Sequence, residues 1–216
     1  MKYQIIPVTP FQQNCSLIWC EQTLKAAVVD PGGNIDRILD AVREHGLTLE
    51  KILLTHGHID HVGGAAQLAT EQQLPIIGPH EADNMWLAQL PAQSQKFGFP
   101  VSEAFVPDQY LQDGDEVTVG NSVLKVFHCP GHTPGHVVFW SAVDKLAWVG
   151  DVLFRGSIGR TDFPGSDYAA LIDSISHKLW PLGAETRFIP GHGPMSTFAE
   201  ERQSNPFVAD QLLQGH

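Results

Sequence analysis

The amino-acid sequence predicts an α/β fold in which short buried strands alternate with helices. Three observations support this: short apolar runs lie between turn residues, amphipathic stretches follow a helical period, and polar clusters come directly after apolar runs. The carboxyl ends of strands are where α/β sheets present their chemistry, so clusters at those positions indicate a functional site. The 216 residues suffice for one domain with a substantial core.

The first half of the chain alternates strands with helices. Five short strands are predicted, at residues 4–8, 16–20, 26–29, 51–54 and 75–77. The first helix is predicted over residues 35–45, with Asn34 as its N-cap and Gly46 as its stop. A second helix is predicted after the fourth strand, over residues 62–72.

The second half begins with a helix and a long loop. Residues 81–90 are predicted to be helical, with Met85 and Trp86 packed inward. Residues 91–107 are predicted to form a loop, either a flap over the site or a plain surface loop. Strands then return, at residues 116–119, 123–128, 136–140, 146–149 and 187–190. Two further helical stretches are predicted, at residues 168–179 and at residues 198–213, the second with a break near Pro206.

One loop holds a dense cluster of candidate metal ligands. His56, His58, Asp60 and His61 fall within six positions, directly after the predicted strand at residues 51–54. In an extended loop alternate side chains point the same way, so His56 and His58 can reach one metal ion. Asp60 and His61 then turn toward a second ion. Imidazole and carboxylate suit zinc, and also iron or manganese; the alternative interpretation is a polar loop that happens to be rich in histidine.

Three more candidate ligands follow other predicted strands. His132 lies in a tight loop of prolines and glycines, Asp151 ends an apolar strand, and His192 follows a short strand in a second loop bounded by glycine and proline. Each of two metal ions needs about four ligands, counting solvent. Two sets of three side chains meet this need if Asp151 bridges the two ions. The first set is His56, His58 and His132, and the second is Asp60, His61 and His192. This allocation leaves one position for a bridging hydroxide.

Other histidines and the cysteines are predicted to be structural. His45 lies near a helix end, and His80 is interpreted as a surface or capping residue. His136 begins a strand, where it would support a ligand rather than act as one. The cysteines form neither a disulfide framework nor a CxxC pair and are expected to be buried free thiols; they are Cys15, Cys20 and Cys129.

Composition and charge exclude several classes of partner. The net charge of −11 argues against a general nucleic-acid or anionic-membrane surface, although it leaves room for a small local basic patch. No apolar run is long enough to span a bilayer, and the first residues lack the apolar core of a signal peptide. We therefore expect a cytoplasmic protein without nucleic-acid or membrane partners.

The pattern His56-x-His58-x-Asp60-His61, followed by His132, Asp151 and His192, resembles the metallo-β-lactamase fold superfamily. The resemblance covers essentially the whole chain. It implies a four-layer αβ/βα sandwich with a site for two divalent metal ions at one edge of two packed sheets. Zinc is the metal expected at this site, with iron or manganese as the alternatives.

Within this superfamily the chain is most similar to glyoxalase II, the hydroxyacylglutathione hydrolases. The segment from Gly150 to Arg160 resembles the family segment after the bridging aspartate, and Arg160 falls where the family places a basic residue that holds a glutathione carboxylate. Oxygen-reducing flavo-diiron proteins usually carry Glu at the position of His58. True β-lactamases usually lack the ligand at His61 and often have cysteine where Asp151 falls. RNA-processing branches usually carry extra domains or basic exosites.

The larger glyoxalase II enzymes add a C-terminal helical domain that supplies glutathione contacts. Residues 1–216 are instead expected to form the small, single-domain bacterial type without that domain, as a monomer or a small homo-oligomer. Such an enzyme would hydrolyse S-D-lactoylglutathione in methylglyoxal detoxification, through a metal-bridging hydroxide that Asp60 orients. The alternative is a persulfide dioxygenase, because that family has a segment similar to Gly159 to Phe163 of this chain. Its members hold one iron through the counterparts of His56, His132 and Asp151. A metal-binding protein without turnover is the third interpretation.

Overall fold

Two mixed sheets pack face to face at the centre of the molecule in a computed structural model, which describes residues 1–213. Residues 214–216, the end of the predicted domain, lie outside the described residues. The first sheet contains, in spatial order, β1 (Lys2–Val8), β2 (Gln13–Trp19), β3 (Lys25–Val29), β4 (Thr48–Leu53) and β5 (Ile76–Ile77). The second contains, in spatial order, β13 (Ser196–Thr197), β12 (Arg187–Pro190), β9 (Leu146–Gly150), β8 (Val137–Ser141), β7 (Ser122–His128) and β6 (Glu116–Val119). A separate hairpin pairs β10 (Leu153–Phe154) with β11 (Ser157–Ile158).

Helices cover the outer face of each sheet. Five lie in the first half: α1 (Ile35–Glu44), α2 (Ile59–Val62), α3 (Ala65–Gln72), α4 (Asn84–Leu87) and α5 (Leu90–Phe97). Three lie in the second half: α6 (Tyr168–Asp173), continued by a π-helix over Ser174–Leu179, then α7 (Phe198–Ser204) and α8 (Asp210–Leu213). This order of layers confirms the predicted four-layer sandwich. No helix within residues 1–213 combines the length and apolarity needed to cross a membrane.

Alternation along the strands divides the core into its layers. In β3, Ala26 and Val28 pack toward the helices, whereas Ala27 and Val29 pack toward the second sheet. Both faces of this strand are therefore buried, which is why its sequence is a continuous apolar run rather than an alternating one. Trp148 of β9 fills the layer between the sheets, where it is 2% exposed.

Strand direction brings the candidate ligands to one edge. In the first sheet β4 runs parallel to β3, and in the second β12 runs parallel to β9. Parallel strands end at the same edge of a sheet, so the loop after β4 meets its neighbours there. The loops after β9 and β12 and the turn between β7 and β8 reach the same edge, as the contacts of His61, His132, Asp151 and His192 show.

Asn34 is the N-cap residue of α1, as predicted, but three details of the local predictions were wrong. Asn34 makes no side-chain capping bond; its Oδ1 instead accepts a hydrogen bond from the backbone N–H of Thr9, at 2.8 Å. The extended histidine loop ends sooner than predicted, because the helical turn of α2 already begins at Ile59. Residues 91–97, predicted as loop, belong to α5, whose buried polar side chain Gln93 accepts from the N–H of Ile59.

Candidate metal centre and cavity

Three histidine nitrogens converge to form the first pocket. His58 Nδ1 lies 3.2 Å from His56 Nε2 and 3.0 Å from His132 Nε2. A tetrahedral zinc ion held at about 2.1 Å from each nitrogen separates neighbouring ligand atoms by about 3.4 Å. The three nitrogens therefore stand near the spacing of a metal site, although they come from two loops that are distant in the sequence.

A carboxylate and two histidines form the second pocket. His192 Nε2 lies 3.0 Å from Asp60 Oδ2, and His61 Nε2 lies 3.7 Å from the same oxygen. The three ligand atoms all lie within 4.8 Å of one another. Asp60 and His61 are neighbours on α2, and the helical turn rather than an extended loop aims both at this pocket.

Asp151 faces both pockets. Its Oδ1 lies 3.3 Å from His61 Nε2, and its Oδ2 lies 3.6 Å from His132 Nε2 and 3.8 Å from His192 Nε2. The carboxylate thus contacts members of both predicted ligand sets, which is the arrangement that a bridging ligand requires. The structure brings all seven predicted ligands together; their role as ligands stays a prediction.

Asp30 fixes the orientation of one histidine from each pocket. It is 2% exposed and follows β3. Its Oδ2 accepts hydrogen bonds from His61 Nδ1–H at 2.9 Å and from the Thr55 hydroxyl at 2.6 Å, and that hydroxyl oxygen accepts from His56 Nδ1–H at 3.0 Å. These bonds leave both Nε2 atoms available to a cation. Asp30 was not predicted as a site residue; the signal that could have found it is a carboxylate at the end of the strand beside β4.

Backbone carbonyls orient two of the remaining histidines in the same way. His132 Nδ1–H donates to the carbonyl oxygen of Arg160 at 2.8 Å, and His192 Nδ1–H donates to that of Phe11 at 3.2 Å. His136 supports the site without entering it. Its Nε2 accepts from the backbone N–H of Asp151 at 3.0 Å, and its ring is stacked 4.6 Å from the ring of His56, centroid to centroid.

The electrostatics of the site fit divalent cations. Burial lowers the pKa of His56 well below its usual value and, with His132 nearby, that of His58 to about 3, so their nitrogen lone pairs are free at neutral pH. Burial disfavours the charged form of Asp151, but the facing His61 holds its pKa well below the usual range. His61 Nε2 and Asp151 Oδ1 are buried and make no hydrogen bond within residues 1–213. Asp60 and Asp151 are two buried carboxylates, and burying negative charge without compensation costs free energy. Divalent cations bound in the pockets would compensate this charge.

A cavity of about 480 Å³ opens directly onto these groups. Its walls carry five aromatic side chains: Phe11, Trp86, Phe97, Phe154 and Phe163. Two cationic side chains, Lys96 and Arg160, also line it. An apolar cleft with a few convergent charges is typical of a small-molecule site, and its cations favour an anionic ligand. Lys96 was missed in the sequence because it lies on α5, where a loop was predicted.

Arg160 occupies the rim of this cavity. Its guanidinium makes two hydrogen bonds to the carboxylate of Asp162, at 2.9 and 2.7 Å, and lies 4.5 Å from the ring centroid of Phe163. The side chain is 68% exposed. Arg160 is therefore a surface ion pair that also lines the cavity, and its role in holding a glutathione carboxylate stays a prediction.

The histidines set aside as structural lie outside the ligand pockets. His45 stacks on Trp19, and its Nε2 pairs with Gln4 Oε1 at 2.8 Å. His80 caps the 3₁₀ turn that follows it, where its Nδ1 accepts from the N–H of Ala82. The three cysteines are buried free thiols, as predicted.

A family model described as the metallo-beta-lactamase superfamily matches residues 8–192 of this chain. Among curated proteins, the hydroxyacylglutathione hydrolase GloC of Haemophilus influenzae is 47% identical over 209 residues. The matched region covers 96% of this chain and 98% of GloC.

Solved structures agree with this match. The BLEG-1 B3 metallo-beta-lactamase superposes with a TM-score of 0.88 at 34% identity, over 96% of this chain and 99% of that one. TTHA1623 in a di-iron-bound form superposes with a TM-score of 0.86 at 35% identity, over 95% of this chain and 100% of that one. ETHE1 from Myxococcus xanthus superposes with a TM-score of 0.81 at 28% identity, over 97% of this chain and 85% of that one.

Proposed function

The chain belongs to the metallo-beta-lactamase superfamily, and we propose that it is a thioester hydrolase of the glyoxalase II type that cleaves S-D-lactoylglutathione to D-lactate and glutathione. The observation that carries this is the position of Asp151 between the two proposed ligand sets, at the floor of an aromatic cavity that also carries two cationic side chains. The similarity to GloC over nearly its whole length supports the same substrate class.

We assign the proposed ligands to the two pockets in the two sets that the sequence predicts. His56, His58 and His132 would hold one divalent ion, Asp60, His61 and His192 the other, and Asp151 both. When bound there, such ions lower the pKa of a water molecule and polarise a carbonyl oxygen. We expect zinc; the di-iron form of TTHA1623 makes iron the first alternative.

The remaining chemistry belongs to the chain itself. Asp60 borders both the second pocket and the cavity. Its carboxylate can therefore accept a hydrogen bond from the attacking water and orient that water toward the thioester carbonyl. A thiolate leaves readily without protonation, so no strong general acid is needed. The aromatic walls exclude water from the acyl group, and Lys96 and Arg160 attract an anionic thiol carrier to an otherwise acidic protein.

Hydrolysis of S-D-lactoylglutathione by purified protein of known metal content tests the proposal. We expect turnover that a chelator abolishes and that added zinc restores, because the ions supply the activated water. Turnover that persists after complete removal of metal would contradict the mechanism. A chromogenic cephalosporin should be tested under the same conditions as an alternative substrate, because the BLEG-1 metallo-beta-lactamase shares this fold at 34% identity.

A persulfide dioxygenase is the second candidate, and the similarity to ETHE1 favours it. That reaction would need one iron, held by His56, His132 and Asp151. The measurement that separates the two functions is oxygen uptake by the iron-loaded protein with glutathione persulfide. Oxygen uptake without thioester hydrolysis would replace the first proposal by the second.

Arg160→Ala is expected to raise KM for glutathione thioesters about 10-fold, the loss of one exposed charge-assisted contact. KM for a small neutral thioester should stay unchanged, because that substrate offers no carboxylate to the guanidinium. Arg155→Ala serves as the matched control, since Arg155 is exposed and does not line the cavity. An equal rise in KM for both substrates would show that Arg160 does not bind the thiol carrier.

A further inference from the structure

One buried carboxylate outside the ligand pockets joins the two loops that form the first pocket. Asp83 ends the 3₁₀ turn Glu81–Asp83 and is 0% exposed. Its Oδ2 accepts from the backbone N–H of Gly57 and from the Thr133 hydroxyl, both at 2.8 Å. Its Oδ1 accepts from the backbone N–H of Gly135 at 2.6 Å. A single side chain thus satisfies three donors from two segments that are distant in sequence.

Each of these donors stands close to a ligand of the first pocket. Gly57 lies between His56 and His58, and Thr133 directly follows His132. Within residues 1–213, the side chain of Asp83 makes no hydrogen bond to a residue of the second pocket. Its contacts therefore act on one pocket selectively.

Close packing leaves the two loops little freedom to adjust. A Cβ on Gly57 would lie 2.7 Å from Trp86 Cβ, and a Cβ on Gly135 would lie 2.5 Å from the backbone nitrogen of Asp83. Both loops touch the backbone of the same segment, and His80 N–H donates to the Gly135 carbonyl oxygen at 3.1 Å. Only residues without a side chain allow this approach, so the segment from His80 to Trp86 sets the distance between the loops.

We propose that Asp83 is a positioning residue for the first pocket: it fixes the separation between the loop of His56 and His58 and the loop of His132, and so sets the metal affinity of that pocket. The inference rests on the proposed function only in that the pockets bind divalent cations. A carboxylate suits the task because it offers lone pairs on both oxygens and donates nothing. Burying it is tolerated because all three donors converge on it.

Asp83→Asn preserves the shape of the side chain but cannot preserve the bonds. If the amide nitrogen replaces Oδ1, it faces the N–H of Gly135; if it replaces Oδ2, it faces the N–H of Gly57. Either orientation sets two donors against each other and separates one loop from the segment. We expect the affinity of the first pocket to fall about 10-fold or more, the usual cost of losing a group that orients metal ligands.

The experiment is a Co²⁺ titration of metal-free protein, followed by the visible absorption of the bound ion and by competition with a chelator. Two backgrounds identify the pocket: His192→Ala impairs the second pocket and His132→Ala impairs the first. Asp83→Asn should weaken the remaining site in the His192→Ala background and shift its absorption. It should leave the remaining site in the His132→Ala background unchanged within about 2-fold.

Further variants separate positioning from folding. Thr133→Val removes one of the three donors and should lower the affinity of the first pocket in the same direction, whereas Thr133→Ser should restore it. Asp108→Asn is the matched control, because Asp108 accepts a single backbone N–H, from Ile76, away from the cavity. Urea unfolding of each metal-free variant measures any general loss of stability.

Equal weakening of both pockets, or lower stability with unchanged affinity and spectrum, would overturn the inference. The titration needs no turnover, so its outcome is separable from that of the hydrolase proposal. Protein that binds metal with these shifts but leaves S-D-lactoylglutathione intact would refute the hydrolase and support the role of Asp83. Wild-type protein that binds no divalent ion would refute both.

Discussion

Asp151→Ala is expected to hold at most one divalent ion per chain and to lose thioester hydrolysis by about 10²-fold or more, the scale of a missing electrostatic contact in a transition state. The carboxylate lies within 3.8 Å of nitrogens from both pockets, so under the proposed assignment its removal takes a ligand from each ion at once. It also leaves His61 Nε2, already without a hydrogen bond in the described residues, next to one carboxylate instead of two. Elemental analysis after dialysis and kcat/KM measure the two effects.

Asp151→Asn and Asp173→Ala sharpen this test. The amide keeps the volume of the side chain but carries no charge, so it should reproduce most of the metal loss. Asp173 pairs with His177 on the surface, and its removal should leave metal content and activity at the wild-type level. A fully loaded, active Asp151→Ala enzyme would show that the two ions, if present, need no shared carboxylate.

Most of the fold could be predicted from the sequence because the strands are recognisable from their local sequence patterns. In β3 and β9 nearly every residue is buried, so their apolar runs are visible without tertiary information. A glycine directly precedes the predicted ligand in both places: Gly150 ends β9 before Asp151, and Gly191 follows β12 before His192. Strand ends and chemistry coincide in these segments, and so the convergence of Asp151 and His192 could be anticipated.

Features that depend on contacts between distant segments escaped the sequence analysis. Helix α5 contains the polar side chains Gln93 and Ser94, which suggest a loop, but both are buried and form hydrogen bonds with backbone groups outside the helix. Asp30 and Asp83 look like turn and helix residues locally. Their partners lie 25 to 52 positions away, and no local pattern marks such partners.

Asp30→Asn is the second change with a large expected effect, because this carboxylate selects the tautomer of His61. With Asp30 as acceptor, His61 carries its proton on Nδ1 and offers the Nε2 lone pair to the pocket. An amide nitrogen placed against Nδ1 favours the opposite tautomer, whose Nε2–H points at Asp60 and Asp151 and blocks a cation. We expect the affinity of the second pocket to fall about 10–100-fold. Despite burial, facing carboxylates raise the pKa of His61, so ¹⁵N spectra of the metal-free protein are recorded above that pKa, where they should show the remaining proton moving from Nδ1 to Nε2.

The Asp30–Thr55 hydrogen bond allows this mechanism to be separated from general damage. The Thr55 hydroxyl donates to Asp30 and accepts from His56, so it connects the two residues. Thr55→Val should therefore lower the metal affinity of the first pocket, while the tautomer of His61, which bonds to Asp30 directly, stays unchanged. Asp36→Asn, an exposed change of the same chemistry on α1, should alter neither pocket. If Asp30→Asn left the proton on Nδ1 and still lost metal, the effect would arise from the charge of Asp30 rather than from orientation. The two variants therefore distinguish a residue that aims its histidines from one that only adds negative charge near the ions.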